Sequence, residues 1–260
     1  MRPLACALLS LWLAASLSAC FAIPTAIPIR SETPKLPTIT TVPSPTPVWF
    51  PPTPTYTPFP TPAVTPTEEL RPGIGEILLR DNFSKSGPWQ HIITANGSIS
   101  VEGGTITVAI NAPKAYLTSL RTQPNLVNFY LEITASPSLC KGADEYGLLL
   151  RATSSLNYYR FSLTCDGRSR LDRVAAGVAS SPQPWINSGG VPPGAPSSSR
   201  LAVWAVGNEM RFFVNDIYQF TIHDPLLPSG NVGIFARSAG DNALTVSFSN
   251  LEIHKVNPVK

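Results

Sequence analysis

Hydrophobic and polar residues alternate with a period of two through most of the chain after residue 73. In one run, Phe129, Leu131 and Ile133 alternate with Tyr130 and Glu132. Half-buried strands produce this alternation, because successive side chains point to opposite faces of a sheet. About a dozen such runs are separated by turn dipeptides such as Asn96-Gly97, Asp166-Gly167 and Asn215-Asp216. The pattern predicts an all-β domain of many antiparallel strands, built as a two-sheet sandwich or a barrel.

The alternation also separates core residues from outward-facing ones. It assigns Tyr159, Phe161 and Phe212 to the core. It places a set of aromatic and polar residues on the opposite side of their strands, and these are the candidate ligand-binding residues: Arg151, Tyr158, Arg160, Tyr130, Glu132, Trp204 and Arg211. Sugars bind aromatic faces together with planar hydrogen-bonding groups, so these residues are candidates for a carbohydrate groove. The alternative is an ordinary mixed surface.

The charge of residues 73–260 argues against nucleic acid as a partner. This segment carries fifteen basic and thirteen acidic residues, whereas nucleic-acid binding calls for a clustered basic face. Arg168, Arg170 and Arg173 form a local cluster, but Asp166 and Asp172 lie among them. We interpret this stretch as a solvated hairpin.

The sequence contains no catalytic signature. Glycosidases of the sandwich type carry two carboxylates at alternate positions of one strand, and no such run occurs here. Asp144 and Glu145 are adjacent, so on a strand they would face opposite sides. No nucleophile elbow of the G-x-S-x-G type and no H-E-x-x-H motif is present. The expectation is a protein that is not an enzyme.

The first twenty residues have the organisation of a secretory signal peptide. Arg2 precedes a short apolar run, and Leu17-Ser18-Ala19-Cys20 follows it. This ending resembles the lipobox of bacterial lipoproteins. The resemblance implies cleavage after residue 19 and fatty acylation of Cys20, in which two or three chains give stable attachment to a lipid bilayer. An uncleaved signal anchor is the alternative, and both place the rest of the chain on the extracellular or periplasmic side of the cell membrane.

Residues 20–72 are predicted to be a lipidated cysteine followed by a disordered, proline-rich stalk. Fifteen of the 28 prolines lie between Pro24 and Pro72. Proline fixes φ and removes a backbone donor, which excludes helix and central strand and favours an extended polyproline II segment. The stalk is interpreted as a spacer, with O-glycosylation or recognition by a proline-binding domain as further readings.

The two cysteines of the predicted domain, Cys140 and Cys165, lie at the ends of two strand runs. In an oxidising compartment an even pair predicts a disulfide, and two free thiols are the alternative. The three histidines show no metal-ligand spacing, so no resident metal or other cofactor is predicted.

Several segments over residues 76–255 resemble the concanavalin A-like jelly-roll sandwiches. They are Leu79-Arg80-Asp81-Asn82-Phe83-Ser84, Tyr146-Gly147-Leu148-Leu149-Leu150-Arg151, Phe213-Val214-Asn215-Asp216, Gly230-Asn231-Val232-Gly233-Ile234-Phe235 and Phe248-Ser249-Asn250-Leu251-Glu252-Ile253. The nearest resemblance is to laminin-G-like and 3-keto-disaccharide hydrolase domains of bacterial surface proteins. It implies a jelly-roll fold for residues 73–260, and it leaves lectins, adhesins, spacers and glycosidases open as functions. Because related sandwiches commonly bind Ca²⁺, Asp81 and Asp241 are weak calcium candidates, together with Asn250.

These observations predict a lipid-anchored, surface-displayed binding module with no catalytic activity, most readily for polysaccharide. A structural domain that contacts another surface protein is the first alternative. A glycoside-hydrolase-like enzyme is the second.

Overall fold

The structure is a computed structural model that describes residues 69–85 and 87–258. The predicted signal peptide, Cys20 and nearly all of the predicted stalk lie outside these residues. Fifteen strands and no helix are found in the described part of the chain. No helix long and apolar enough to cross a membrane occurs there. Residues Val64–Lys260 form one compact unit that contains every strand.

The fifteen strands are longer and more numerous than the alternation alone indicates. In chain order they are β1 (Ile74–Asp81), β2 (Ile92–Thr94), β3 (Gly97–Glu102), β4 (Thr105–Ile110), β5 (Tyr116–Leu120), β6 (Phe129–Leu139), β7 (Glu145–Ser154), β8 (Asn157–Thr164), β9 (Arg168–Ala175), β10 (Val178–Asn187), β11 (Ser199–Val206), β12 (Glu209–Val214), β13 (Ile217–His223), β14 (Asn231–Arg237) and β15 (Leu244–Val256).

The strands form two antiparallel sheets. The nine-stranded sheet has the order β13-β12-β11-β6-β15-β4-β3-β2, and β1 pairs with the second half of β15. The six-stranded sheet has the order β10-β9-β8-β7-β14-β5. In both sheets, some paired strands are consecutive in the chain and others are far apart in it, such as β6 and β15. The predicted all-β, two-sheet antiparallel class is confirmed.

The core lies between the two sheets and draws on the inward residues of both. Phe161 of the six-stranded sheet packs against Phe212 of the nine-stranded sheet, with ring centroids 4.8 Å apart. Tyr159, Phe161 and Phe212 are all fully buried, which confirms their assignment to the core. A disulfide joins Cys140, just after β6, to Cys165, just after β8, with Cα atoms 5.8 Å apart. The predicted disulfide is therefore confirmed, and it links the two sheets at one end.

The predicted turn at Asn215-Asp216 is confirmed, and the structure gives a packing reason for Gly147. Asn215 and Asp216 have φ values of 50° and 64°, as the tight turn between β12 and β13 requires. A Cβ added to Gly147 would lie 2.0 Å from the carbonyl oxygen of Phe161 on the neighbouring strand. Only glycine therefore fits at this position without a shift of the backbone.

Candidate functional site

The outward side of the six-stranded sheet, called here the six-strand face, carries a second apolar cluster separate from the main core. Leu149, Tyr158, Val174 and Phe235 are buried in this cluster, and Tyr116 packs against it. They come from five adjacent strands at positions that alternate with core residues. The six-strand face therefore has a buried apolar layer beside the polar residues of the same strands.

Three arginines and two carboxylates cross this face as a continuous row, called here the arginine ladder. Arg237 lies 3.2 Å from Glu145, and Arg170 lies 3.5 Å from the same carboxylate. Arg170 also lies 2.8 Å from Asp172, which accepts a 2.6 Å hydrogen bond from Arg160. Each inner charge thus contacts two opposite charges, so every guanidinium in the row is held in a fixed orientation.

Arg160 and the neighbouring Tyr116 both keep their protons. Burial lowers the pKa of Arg160, but the hydrogen bond to Asp172 together with the charges of Tyr116, Asp172 and Glu145 outweighs burial and raises that pKa above its usual range. Burial, together with the hydrogen bond to Tyr158, raises the pKa of Tyr116. Neither group exchanges a proton near neutral pH. The ladder can therefore donate hydrogen bonds to a ligand, but these groups do not supply acid–base chemistry.

Two aromatic rings lie beside the ladder. The guanidinium carbon of Arg160, at one end of the ladder, lies 5.6 Å from the ring centroid of Tyr116. Trp185 of β10 lies against Arg170 in the middle of the ladder, at 4.3 Å from its ring centroid, and against the neighbouring Arg168 at 5.2 Å. Rings beside fixed N–H donors are the arrangement that grips a sugar, through stacking on the ring and hydrogen bonds to hydroxyl groups.

The outward side of the nine-stranded sheet, called here the nine-strand face, holds four of the predicted ligand-binding residues. Tyr130, Trp204 and Arg211 lie opposite one another on β6, β11 and β12. Arg211 stacks on Trp204 at 4.6 Å, and Glu132 accepts a hydrogen bond from Tyr130. The structure therefore brings together four of the seven residues that the sequence assigns to a single groove.

The chain itself covers that surface. Trp204 donates a 2.9 Å hydrogen bond to the carbonyl oxygen of Pro72, and Arg211 donates one to Leu70. Arg71 stacks over Phe213 at 5.0 Å, and its guanidinium reaches Asp216 at 3.1 Å. Residues 70–72, which the sequence assigns to the stalk, are thus packed against the sandwich. An aromatic patch in contact with its own chain is not an open groove.

Arg151 lies in neither face, and its prediction as an exposed ligand residue is wrong. The whole residue is buried, and its guanidinium donates hydrogen bonds to three backbone carbonyls. The register of β7 shifts on both sides at this position, and Arg151 has a φ of 48°. The irregularity interrupts the alternation and turns the side chain inward.

Of the predicted set, only Tyr158 and Arg160 lie on the six-strand face. Sequence reasoning missed Glu145, Asp172 and Trp185. The interpretation of residues 166–173 as a solvated hairpin is correct for the hairpin, which β8 and β9 form, but wrong for the solvation of Asp172, which is buried on β9 beside Arg168 and Arg170. The sequence did contain a signal for this strand, since Arg168, Arg170 and Asp172 alternate with Ser169 and Leu171.

The calcium candidates are placed as follows. Both carboxylate oxygens of Asp81 are already engaged, by the backbone N–H of Phe83, the indole of Trp89 and Arg121. Asn250 lines a cavity of about 170 Å³ beside Asp81, whereas Asp241 is exposed in the loop after β14. Within the described residues, one group of three potential metal-binding residues has its ligand atoms within 4.8 Å of one another. Two of the three residues are the cysteines of the disulfide. These residues give no basis for a calcium site.

Comparisons with known proteins agree with this fold. No family model matches the chain, and no curated protein matches its sequence. Among solved structures, it is similar to a Bacillus subtilis protein of unknown function with a galectin-like fold, at a TM-score of 0.54 and 15% identity, over 71% of this chain and 99% of that one. It is similar to the carbohydrate-binding module CBM66 from Bacillus subtilis, at a TM-score of 0.51 and 17% identity, over 65% and 96% of the two chains.

A third similar structure is the GH43 BlXynB protein from Bacillus licheniformis, at a TM-score of 0.52 and 12% identity. It covers 68% of this chain and 39% of that protein. At these identities the likeness concerns the fold alone. It confirms the predicted two-sheet jelly-roll sandwich with a concanavalin A-like fold.

Proposed function

We propose that this protein is a non-catalytic carbohydrate-binding module and that the six-strand face is its binding surface. The observation that carries the proposal is the contrast between the two faces. The nine-strand face is covered by residues 70–72, whereas the six-strand face presents fixed guanidinium groups flanked by Trp185 and Tyr116. The fold supports the same function, since one similar structure is a carbohydrate-binding module.

Binding rather than catalysis is proposed because the carboxylates of this face are neutralised by arginine. Glu145 and Asp172 both contact Arg170, so they lie near each other, as a glycosidase pair would. Each of them also contacts a second arginine. A carboxylate held between two guanidinium groups is a poor general acid and a poor nucleophile, because both roles require it to leave those partners.

Replacing Trp185 with alanine is expected to weaken glycan binding about tenfold or more, because a stacking surface beside the ladder is lost. The chain from Phe21 onward is screened on a glycan array, and each hit is measured by titration calorimetry for both proteins. Tyr218→Ala, an exposed aromatic of the nine-stranded sheet, is the matched control and is expected to bind normally. An array without any hit refutes the proposed function, and equal affinity of Trp185→Ala and the parent refutes the proposed surface.

We also propose that the module is lipid-anchored at the cell membrane through Cys20, on the basis of the lipobox-like sequence. The Cys20→Ser variant, expressed in a bacterium, is expected to lose incorporation of labelled palmitate and to leave the membrane fraction, because the thioether cannot form. Cys6→Ser, in the segment that cleavage removes, is the control. Retention of labelled Cys20→Ser chains in the membrane contradicts the proposal.

A further inference from the structure

The charges of the six-strand face lie at different depths. The side chains of Asp172 and Glu145 are 3% and 8% exposed, whereas those of Arg237 and Arg168 are 45% and 30% exposed. The carboxylates therefore form a buried layer, and the guanidinium groups lie between that layer and solvent. Over Glu145 and Asp172, a ligand that approaches this face therefore meets a guanidinium group before it meets a carboxylate.

The two most exposed arginines of this face, Arg237 and Arg168, lie on strands that are separated by β7 and β8. Arg237 lies on β14 and shares Glu145 with Arg170, so one carboxylate serves two guanidinium groups. Arg168 lies on β9 and pairs with Asp166, a partner that is itself exposed. Four arginines thus face three carboxylates on this surface, and the excess positive charge is carried by side chains that solvent reaches.

The chemistry of these exposed groups selects among ligands. A guanidinium group offers only hydrogen-bond donors, and its planar fork matches a carboxylate, sulfate or phosphate group. A sugar hydroxyl both donates and accepts, so its O–H donor finds no acceptor on exposed guanidinium groups. Glu145 and Asp172 are buried, so they pre-organise their arginines without presenting acceptors at the surface, whereas both oxygens of the exposed Asp166 already accept hydrogen bonds from Arg168.

We infer that the six-strand face recognises an acidic polysaccharide, whose anionic groups bind the exposed guanidinium groups of Arg237 and Arg168 while its sugar rings lie on Trp185. This inference rests on the proposed carbohydrate-binding function and narrows its ligand class. The anionic group is an oxyanion that only accepts hydrogen bonds. Uronic acid carboxylates and sulfate or phosphate esters are both groups of this kind.

The test compares polymers that differ only in the anionic group, with the chain from Phe21 onward. Polygalacturonate is paired with its methyl ester, and dextran sulfate with dextran. We expect the acidic member of at least one pair to bind about tenfold more tightly or better, since hydrogen bonds to charged groups are stronger than neutral ones. Which pair responds separates carboxylate from sulfate recognition. We also expect binding to weaken as salt is added, because screening reduces attraction between charges near the surface.

Arg237→Gln and Arg168→Gln are each expected to weaken acidic-polymer binding about fivefold or more. The matched control is Arg200→Gln, an equally exposed arginine of the nine-stranded sheet, which is expected to bind normally. Equal binding of the acidic and neutral members overturns the inference but leaves the proposed function standing. Equal losses in all three variants indicate attraction by net charge and also overturn it. Absence of binding to these polymers and to every glycan of the array overturns the proposed function itself.

Discussion

The Arg151→Met variant is expected to lose about 3 kcal/mol or more of its free energy of unfolding. Arg151 donates to the carbonyl oxygens of Gly207 at 2.8 Å, Val127 at 3.0 Å and Leu227 at 3.2 Å. These carbonyls belong to three separate connections at one end of the sandwich. Methionine fills similar space but donates nothing. The hydrogen bond to Leu227 is buried and the other two are partly buried, and a buried acceptor left unpaired costs about 1–3 kcal/mol.

Urea unfolding followed by tryptophan fluorescence measures this loss as a lower midpoint at an unchanged slope. Arg80→Met serves as the control, because Arg80 is exposed and pairs only with Glu252 at the surface. Its loss is expected to stay below about 1 kcal/mol. Arg151→Lys retains the charge but cannot donate to all three carbonyls in the same geometry. Its loss of free energy of unfolding is expected to lie between those of Arg151→Met and Arg80→Met. A shift for Arg151→Met no larger than that of Arg80→Met contradicts the assigned role.

The Asp172→Asn variant is expected to be destabilised by about 3 kcal/mol or more and to lose ligand binding. Asp172 accepts hydrogen bonds from Arg160 and from Ser181, each at 2.6 Å, and contacts Arg170 at 2.8 Å. Asparagine has one acceptor oxygen and no charge, so two half-buried guanidinium groups lose their shared partner. Removing one member of a buried charge network costs about 3–5 kcal/mol.

The same substitution at Asp216 is a matched control. Asp216 also contacts two arginines, Arg71 and Arg200, but its side chain is half exposed on the nine-stranded sheet. Surface pairs contribute about 0–1 kcal/mol, so Asp216→Asn is expected to unfold close to the parent midpoint and to bind glycan normally. If the two variants unfold at the same urea concentration, the ladder is not the stabilising network described above.

Much of the fold could be predicted because strand structure is encoded locally. Alternation of apolar and polar residues identifies strands such as β6, and it assigned Tyr159 and Phe212 to the core before any contact was known. The turn at Asn215 and the requirement for glycine at position 147 are also indicated by the local sequence. The disulfide between Cys140 and Cys165 followed from cysteine number and compartment.

The candidate site was predicted only in part, because a strand pattern gives the side of a strand but not the sheet it belongs to. Tyr158 and Trp204 have the same outward alternation, yet they lie on opposite faces of the sandwich. The order of strands in each sheet depends on pairings between distant segments, which a single sequence does not reveal. A set of outward residues was therefore assigned to one groove when it belongs to two faces and the core.

The sequence by itself determined the class of the domain, its core, its disulfide and the chemical types on its surface, since each depends on spacing along the chain. Only the tertiary structure decided which surface is open. Arg151 is buried because β7 is irregular at that position. Trp204 is covered because residues 70–72 run across it. Asp172 is buried because of its neighbours on the adjacent strands. These contacts join segments that are far apart in sequence. They decide that, of two faces with outward aromatic residues, one is the candidate binding face and the other is covered by residues 70–72.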